Sequence, residues 1–217
     1  MLQIFTLTVI SIVLTACATQ PKLAVTDISH ERWQQRQQQL STFNRWDLRG
    51  RVVLYINDEV HSVGLNWSRQ QDISTLTLEA PLSQGMVKLE INPTAATLNT
   101  SEGNRYSGID AQQVLLQATG WSIPLTGLTS WITGINHNAS NFHPDIDATG
   151  NALSLEQDNW HINYLNYAPA QMPSGNVVEL PQKIYMKHSD LALKIVIDQW
   201  QNPAPSPDSR LFPLFPD

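Results

Sequence analysis

Residues 46–56 read Trp46-Asp47-Leu48-Arg49-Gly50-Arg51-Val52-Val53-Leu54-Tyr55-Ile56, and this stretch decides the fold. From Trp46 to Ile56 every second residue is apolar or glycine, while Asp47, Arg49 and Arg51 occupy positions between them. Because successive side chains of a strand point to opposite faces, this period of two predicts a β-strand with one buried and one wet face.

The same alternation continues down the chain between short turn sequences. It predicts further strands at 62–68, 75–80, 87–91, 96–98 and 105–106. The turns are Asn57-Asp58-Glu59, Pro81 to Gly85 and Asn92-Pro93. Hairpin-length turns between strands that share one apolar face predict an antiparallel meander.

A helix is expected in front of this meander. Ser29 is a suitable N-cap, and Ile28 and Trp33 have the spacing of a hydrophobic staple around it. Trp33, Leu40 and Phe43 continue an apolar stripe, and the glutamines between them face water.

Two helices are expected in the middle of the chain. Asp110 caps the first and Gly120 ends it, while Pro124 stands near the start of the second and Gly134 stops it. Residues 135–150 are predicted to be a polar loop. Strands then resume at 153–155, 160–164, 178–186 and 191–197, with Trp200 placed just after the last of them.

The fold class predicted from this order is α+β, mainly antiparallel β. A long antiparallel sheet must cover its apolar face, and the amphipathic helices are the available cover. We expect the sheet to curl into an open, half-closed barrel with the helices as a lid over its concave side.

The N-terminus has the pattern of a bacterial lipoprotein signal. An apolar run from Leu2 to Leu14 is too short to span a bilayer, which takes ~20 residues. It ends in Leu14-Thr15-Ala16-Cys17, the order of a lipobox, and Cys17 is the only cysteine. We expect a signal peptide at 1–16, a lipidated tether at 17–27, a folded domain at 28–201 and a Pro-rich disordered tail at 202–217. Ala18 and Thr19 carry no inner-membrane retention signal, so the outer membrane is the expected destination.

Composition narrows the function further. The formal charge of −6 and the absence of a basic stripe argue against nucleic acid as a partner. Charged residues make up only 15% of the chain against ~25% in typical soluble domains, and seven tryptophans are present. This balance predicts more apolar surface than the core alone requires.

No catalytic motif stands out, so no catalytic residue, metal or cofactor is expected. Gly-x-Ser-x-Gly, His-Glu-x-x-His and Gly-rich phosphate loops are all missing from the sequence. His137, His143, Asp145 and Asp147 crowd into one segment, which we interpret as a solvated loop rather than a metal site. His161 alternates with apolar neighbours and is placed on the outer face of its strand.

One apolar residue is expected at a loop tip. Leu82 follows Pro81 among turn-forming residues, which predicts that its side chain is exposed. A single exposed leucine usually has no function.

Several motifs together resemble one known family. They are the lipobox, Trp46-x-Leu48-x-Gly50-Arg51, Ala80-Pro81-Leu82, Gly120-Trp121-x-Ile123-Pro124-Leu125, Leu128-x-x-Trp131-Ile132-x-Gly134, Trp160-x-Ile162-x-Tyr164 and Leu193-x-Ile195-x-Ile197-x-x-Trp200. In this order they resemble the LolB family of outer-membrane lipoprotein receptors, across residues 14–200. The family's loop reads Pro-Leu-Gly, whereas this chain has Ser83 there and a glycine at Gly85.

The resemblance implies an apolar cavity under the lid and a receptor function. Such a receptor takes acylated lipoproteins from the periplasmic carrier LolA and places them in the outer membrane without nucleotide hydrolysis. It implies a lipid anchor at Cys17, a periplasm-facing monomer, and a membrane-inserting loop at Pro81 and Leu82 beside outer-membrane phospholipid. The acyl-binding cavity is expected to contain Trp46, Leu48, Val52, Leu54, Leu65, Trp67, Leu76, Leu78, Val87, Leu89, Val114, Leu115, Leu128, Trp131 and Ile132.

Two functions from other classes remain open at this point. A lipid hydrolase would need a nucleophile, such as Ser83, beside a histidine at the cavity. A lipid-binding or structural outer-membrane lipoprotein is the other alternative, and in its structural form it would have a filled core.

Overall fold

In the computed structural model, residues 27–56, 59–81, 85–138 and 141–201 are described. Within them lie three helices, α1 Asp27–Ser41, α2 Ala111–Thr119 and α3 Leu125–Trp131. The strands are β1 Arg45–Ile56, β2 Glu59–Gln70, β3 Ile73–Glu79, β4 Met86–Asn92, β5 Ala95–Thr100, β6 Arg105–Gly108, β7 Phe142–Ile146, β8 Ala152–Gln157, β9 Trp160–Gln171, β10 Val177–His188 and β11 Leu191–Gln201. The predicted mainly antiparallel α+β class is confirmed.

All the strands belong to one open antiparallel sheet. Its order is β6-β5-β4-β3-β2-β1-β11-β10-β9-β8-β7, so the first and last strands of the chain pair at the centre. The two halves are hairpin meanders that run outward from this seam and end in the short edge strands β6 and β7. Short edge strands leave few backbone groups for pairing with another chain.

Gly50 lies where β1 approaches β11 most closely. The register between the two strands shifts at Arg49/Gly50, and a Cβ built on Gly50 would lie 2.2 Å from the carbonyl oxygen of Val196. Only a residue without a side chain allows this contact between two backbones.

Gly50→Ala is therefore expected to destabilise the fold. Because the clash is with backbone, the strands must separate locally, and overpacking of this kind costs roughly 3 kcal/mol. Thermal unfolding should show a melting temperature lowered by roughly 10 °C. Gly64→Ala is the matched control on β2, since the nearest atoms to its Cβ are 3.7 Å away. An unchanged melting temperature in Gly50→Ala would contradict the close approach.

The two middle helices form as their caps predict. The Asp110 side chain accepts hydrogen bonds from the backbone N–H groups of Gln112, at 2.8 Å, and Gln113, at 3.4 Å. Gly120 ends α2 in the left-handed conformation at φ 78°, which glycine adopts without strain. Helix α2 packs against β5 and β6, and the apolar sides of α2 and α3 enter the same core as the sheet.

Helix α1 covers the other half of the sheet, but it starts earlier than predicted. It begins at Asp27, so Ser29 is not its N-cap but a buried residue within its first turn. The predicted staple is wrong, because Ile28 is 60% exposed whereas Trp33 is buried. Five helical residues separate their side chains by about 140° around the axis, which places them on different faces.

Part of the segment 135–150, which its polar composition predicts to be a loop, forms a strand. Phe142–Ile146 forms the edge strand β7, in which Ile146 is buried and His143 and Asp145 are exposed. Pro144 is tolerated because one side of an edge strand has no hydrogen-bonding partner. Other strand boundaries differ as well, most of all in β9, which continues to Gln171, and in β11, which includes Trp200.

None of the three described helices is long and apolar enough to cross a membrane.

Candidate functional site: an apolar void under a helical lid

A void of about 40 Å³ lies between the sheet and helices α2 and α3. Every residue around it is apolar: Val52, Leu54, Leu65, Trp67, Leu76, Leu78, Leu115, Ile123, Leu125, Leu128, Leu193 and Ile195. A single water needs roughly 10–15 Å³ measured in this way, so the void is the size of a few water molecules. The one polar atom among the lining side chains, the indole nitrogen of Trp67, is buried, and an apolar void of this kind stays dry and accepts apolar matter.

The structure brings part of the predicted cavity set to this void. The members that line it are Val52, Leu54, Leu65, Trp67, Leu76, Leu78, Leu115 and Leu128. Sequence reasoning missed Ile123, Leu125, Leu193 and Ile195. The period of two in β11 could have revealed Leu193 and Ile195, because it places them on the same face as Ile197.

The remaining predicted residues lie in the core around the void. Trp46, Leu48, Leu89, Val114, Trp131 and Ile132 are buried, and Val87 is partly buried. Trp46 packs edge-on against Trp67, at 5.2 Å between ring centroids, and against Trp200, at 5.5 Å. These aromatic contacts make Trp46 part of the packed core beside the void.

Polar contacts fix the C-terminal end of α3 to the sheet. The indole N–H of Trp131 donates to the Oε1 atom of Gln157 at 2.8 Å, and the hydroxyl of Tyr164 donates to the carbonyl of Trp131 at 2.9 Å. Gln157 is buried, and its Oε1 atom also accepts from the backbone N–H of His137 at 2.8 Å. Buried hydrogen bonds of this kind are costly to break, so this end of the lid is its fixed end.

Helix α1 is held to the sheet by Arg36. Its Nη2 atom donates to the carbonyl of Glu179 at 2.6 Å, and the guanidinium lies over the Tyr167 ring at 5.4 Å. Burial lowers the pKa of Arg36, although nearby tyrosines and carboxylates oppose that effect. The sequence does not predict this role, because Arg36 stands among polar residues that are expected on the solvent-exposed face of the helix.

The linker at residues 120–124 is attached less firmly. Its hydrogen bonds run to the two helices beside it. Toward α2, the Gly120 N–H donates to the Leu116 carbonyl, the Trp121 N–H donates to the Thr119 hydroxyl, and the Gln112 side chain donates to the Ser122 hydroxyl. Toward α3, the Pro124 carbonyl accepts from the Leu128 N–H. In the part of the chain that the structure describes, none of them reaches the sheet. Trp121 meets the sheet through its ring, 6.3 Å from the ring of His61.

This linker separates the void from an outer pocket. The pocket measures about 440 Å³ and lies at the end of the sheet where β1 reaches Ile56 and β11 starts at Leu191. Trp121 and Pro124 line the pocket, whereas Ile123 lines the void behind them. We call this pocket the mouth, because displacement of the linker would join it to the void.

The histidine-rich segment does not gather into a metal site. Among the described residues no group of three or more His, Cys, Asp or Glu side chains is placed to hold a metal ion. Asp147 instead caps a turn: burial raises its pKa, but hydrogen bonds from Thr149 and Asn151 outweigh burial and leave the pKa lowered. His161 is exposed on the outer face of β9, where it lies 3.3 Å from Glu156.

Several predicted site residues lie outside the described residues. They are Cys17 with the signal peptide at 1–16, Leu82 and Ser83, and the tail at 202–217. Pro81 is described and exposed, and the backbone N–H of Ala80 donates to the carbonyl of Gly85 at 2.8 Å across the base of that loop.

Fold and void together define a class: an open antiparallel sheet whose apolar face is covered by helices. A family model described as outer membrane lipoprotein LolB matches residues 44–200, and the chain belongs to the LolB family. A LolB of Nitrosococcus oceani is 32% identical over 79% of this chain and 83% of its own. A LolB of Xanthomonas axonopodis pv. citri is 31% identical over 81% of each chain. A LolB of Pseudomonas syringae pv. syringae is 29% identical over 78% of this chain and 80% of its own. These relatives are all named outer-membrane lipoproteins.

Solved structures with a similar outline are more distant. A putative outer membrane lipoprotein-sorting protein domain from Vibrio parahaemolyticus has a TM-score of 0.46 at 6% identity, and the match covers 82% of this chain and 93% of that one. A LolA superfamily protein from Nitrosomonas europaea has a TM-score of 0.39 at 8% identity, covering 82% and 94%.

Proposed function

We propose that this protein is an outer-membrane receptor that accepts acylated lipoproteins from the periplasmic carrier LolA. It holds their acyl chains between the sheet and the lid and then releases them into the outer membrane. Membership of the LolB family supports the outer membrane as the location and lipoprotein localisation as the process. The finer steps rest on the chemistry of the site.

The observation that carries the proposal is the wholly apolar void. The lining side chains are hydrocarbon and carry no charge, and their one polar atom, the indole nitrogen of Trp67, is buried, so the void suits hydrocarbon. Each CH₂ group moved out of water contributes about 0.8 kcal/mol. A lipoprotein with three acyl chains therefore cannot cross water unaided, whereas a carrier with such an interior can hold it.

The lid must move for an acyl chain to enter. A void of about 40 Å³ is far smaller than an acyl chain, so the closed conformation is the empty state of the receptor. The fixed end of α3 and the loosely attached linker make opening at the mouth the least costly movement. An acyl chain that fills the enlarged interior shifts the population toward the open form.

Transfer needs no nucleotide if the affinities are ordered. The acyl chains must bind more tightly to the receptor than to the carrier, and more tightly to the bilayer than to the receptor. The closed void fits the second condition, because the receptor recovers the packing of its own core when the cargo leaves. The cycle is then a series of exchanges rather than a catalysed reaction.

Cys17→Ala is expected to abolish lipidation and leave an unprocessed precursor, because the thiol accepts the diacylglyceryl group. The anchor raises the effective concentration of the receptor at the target bilayer. Delivery into vesicles should therefore fall more than acceptance of cargo. Mass spectrometry of the mature wild-type protein tests the premise, and an unmodified Cys17 would exclude it.

The deciding experiment measures transfer from a purified carrier. LolA loaded with a lipoprotein is mixed with the receptor without nucleotide, and cargo on each protein is quantified after separation. Cargo should move to the receptor, and then to added vesicles. A structural lipoprotein would take up no cargo, and a hydrolase would release free fatty acid that mass spectrometry detects.

A further inference from the structure

Three lysines cluster on the face of the sheet turned away from the helices. Lys183 and Lys187 lie two residues to either side of Tyr185 on β10, and Lys194 lies directly opposite Tyr185 on β11. Diagonal neighbours on one sheet face are about 7–8 Å apart. The three lysines are therefore the same-face neighbours of one tyrosine, and we call this group the lysine patch.

Within the described residues, no carboxylate neutralises the positive charge of the patch. None of the three lysines forms an ion pair there. Their cross-strand and same-face neighbours are Val53, His161, Asn163, Asn166, Ala192 and Val196. Two carboxylates lie at its border: Asp198 is bonded to Arg51 at 3.0 Å, and Glu156 lies 3.3 Å from His161. Carboxylates outnumber basic side chains in this protein, whose net charge is −6, but none of them lies among these lysines.

Exposed apolar side chains adjoin the patch. Tyr55 pairs with Ala192, which in turn pairs with Lys187, so all three lie in one cross-strand row. Val60 lies opposite Tyr55 on β2, and the two are 63% and 37% exposed respectively. This row lies at the mouth end of the sheet, one residue from Ile56.

We propose that the lysine patch, with Tyr55 and Val60, is a docking surface for the headgroups of anionic phospholipids. Lysine beside tyrosine and an aliphatic residue suits the bilayer interface, where ammonium groups meet phosphates and apolar side chains reach below them. Docking by this face brings the mouth close to the bilayer that receives the cargo. The inference rests on the proposed function, because only a receptor that delivers into a membrane needs this orientation.

The test uses the full lipidated protein anchored in vesicles. Since the only native cysteine is acylated in this proposal, Asn163→Cys introduces a single thiol beside the patch for an environment-sensitive fluorophore. Vesicles contain either phosphatidylcholine alone or phosphatidylcholine with phosphatidylglycerol. The matched lysine control is Lys88→Gln, whose ammonium lies 2.7 Å from Glu90, and Ser107→Cys on β6 provides the control label.

Docking should shift the fluorescence at position 163, but not at 107, only when phosphatidylglycerol is present and only at low salt. Each lysine near an anionic surface changes the docking equilibrium about fivefold, so replacing Lys183, Lys187 and Lys194 by glutamine should weaken docking on the order of 100-fold. Lys88→Gln should leave it unchanged. An equal signal on phosphatidylcholine, or an unaltered signal in the triple variant, would overturn the proposal.

Uptake of cargo from LolA, measured in parallel, separates this inference from the proposed function. Weaker docking with normal uptake supports the docking surface. Normal docking with lost uptake would instead make the patch a protein-binding surface and refute the lipid assignment. If wild-type protein takes no cargo but still docks on anionic vesicles, the proposed function fails while the surface stands.

Discussion

Leu78→Glu is expected to lower the affinity of the receptor for an acyl probe by at least ~100-fold, because an unpaired carboxylate in an apolar site costs ~3 kcal/mol or more. Leu78 lines the void from β3 but is only partly buried when the lid is closed. The glutamate can therefore turn toward water in the empty protein, and the fold should survive. Fluorescence titration with a labelled fatty acid and transfer from LolA both measure the loss.

The control is Thr77→Glu, one residue away on the other face of β3. Thr77 lies opposite Lys88 on β4, so a carboxylate there has a cation within reach. It should bind the probe as wild type does. If Leu78→Glu melts normally and still accepts cargo, acyl chains do not bind in this void. Leu54→Glu should have a larger effect than Leu78→Glu. Because Leu54 is fully buried, a glutamate there should unfold the protein as well as prevent binding.

Leu82→Glu is expected to block deposition into membranes while leaving cargo acceptance intact. An exposed loop leucine that enters the acyl region contributes roughly 1.5–3 kcal/mol, which corresponds to a 10- to 150-fold slower deposition when it is lost. The free energy of unfolding should change by no more than ~0.5 kcal/mol, as for other surface substitutions. The resemblance to LolB and the exposed Pro81 beside it support this role.

Ser83→Glu serves as the matched control, because it adds the same charge to the same loop and keeps the leucine. Normal deposition by Ser83→Glu, together with failure of Leu82→Glu, assigns the effect to the lost apolar side chain. A Leu82→Glu protein that melts far lower would instead make Leu82 a packing residue. One that deposits cargo at the wild-type rate would remove the loop from the mechanism.

The sequence by itself determined the strands of the first meander and the cover of helices. The alternation of apolar and polar residues predicts which face of each strand is buried. The caps Asp110 and Gly120 predict where α2 begins and ends. Both signals depend only on residues that are close together in the sequence. The lipobox ending at Cys17 and the sites at Pro81 and Leu82 are likewise sequence inferences, and they stay predictions. The sequence did not predict strand β7, because Pro144 and the polar residues beside it are typical of a loop.

Only the tertiary structure decided which strands meet and how much space remains between them. Alternation does not specify a partner, so the pairing of β1 with β11 and the contact at Gly50 could not be predicted from periodicity. The same reason explains why the predicted cavity set divided into residues that line the void and residues, such as Trp46, that pack around it. The sheet face to which a side chain points depends on its position in its own strand. The volume of the void depends instead on every side chain that packs there from the lid and the sheet.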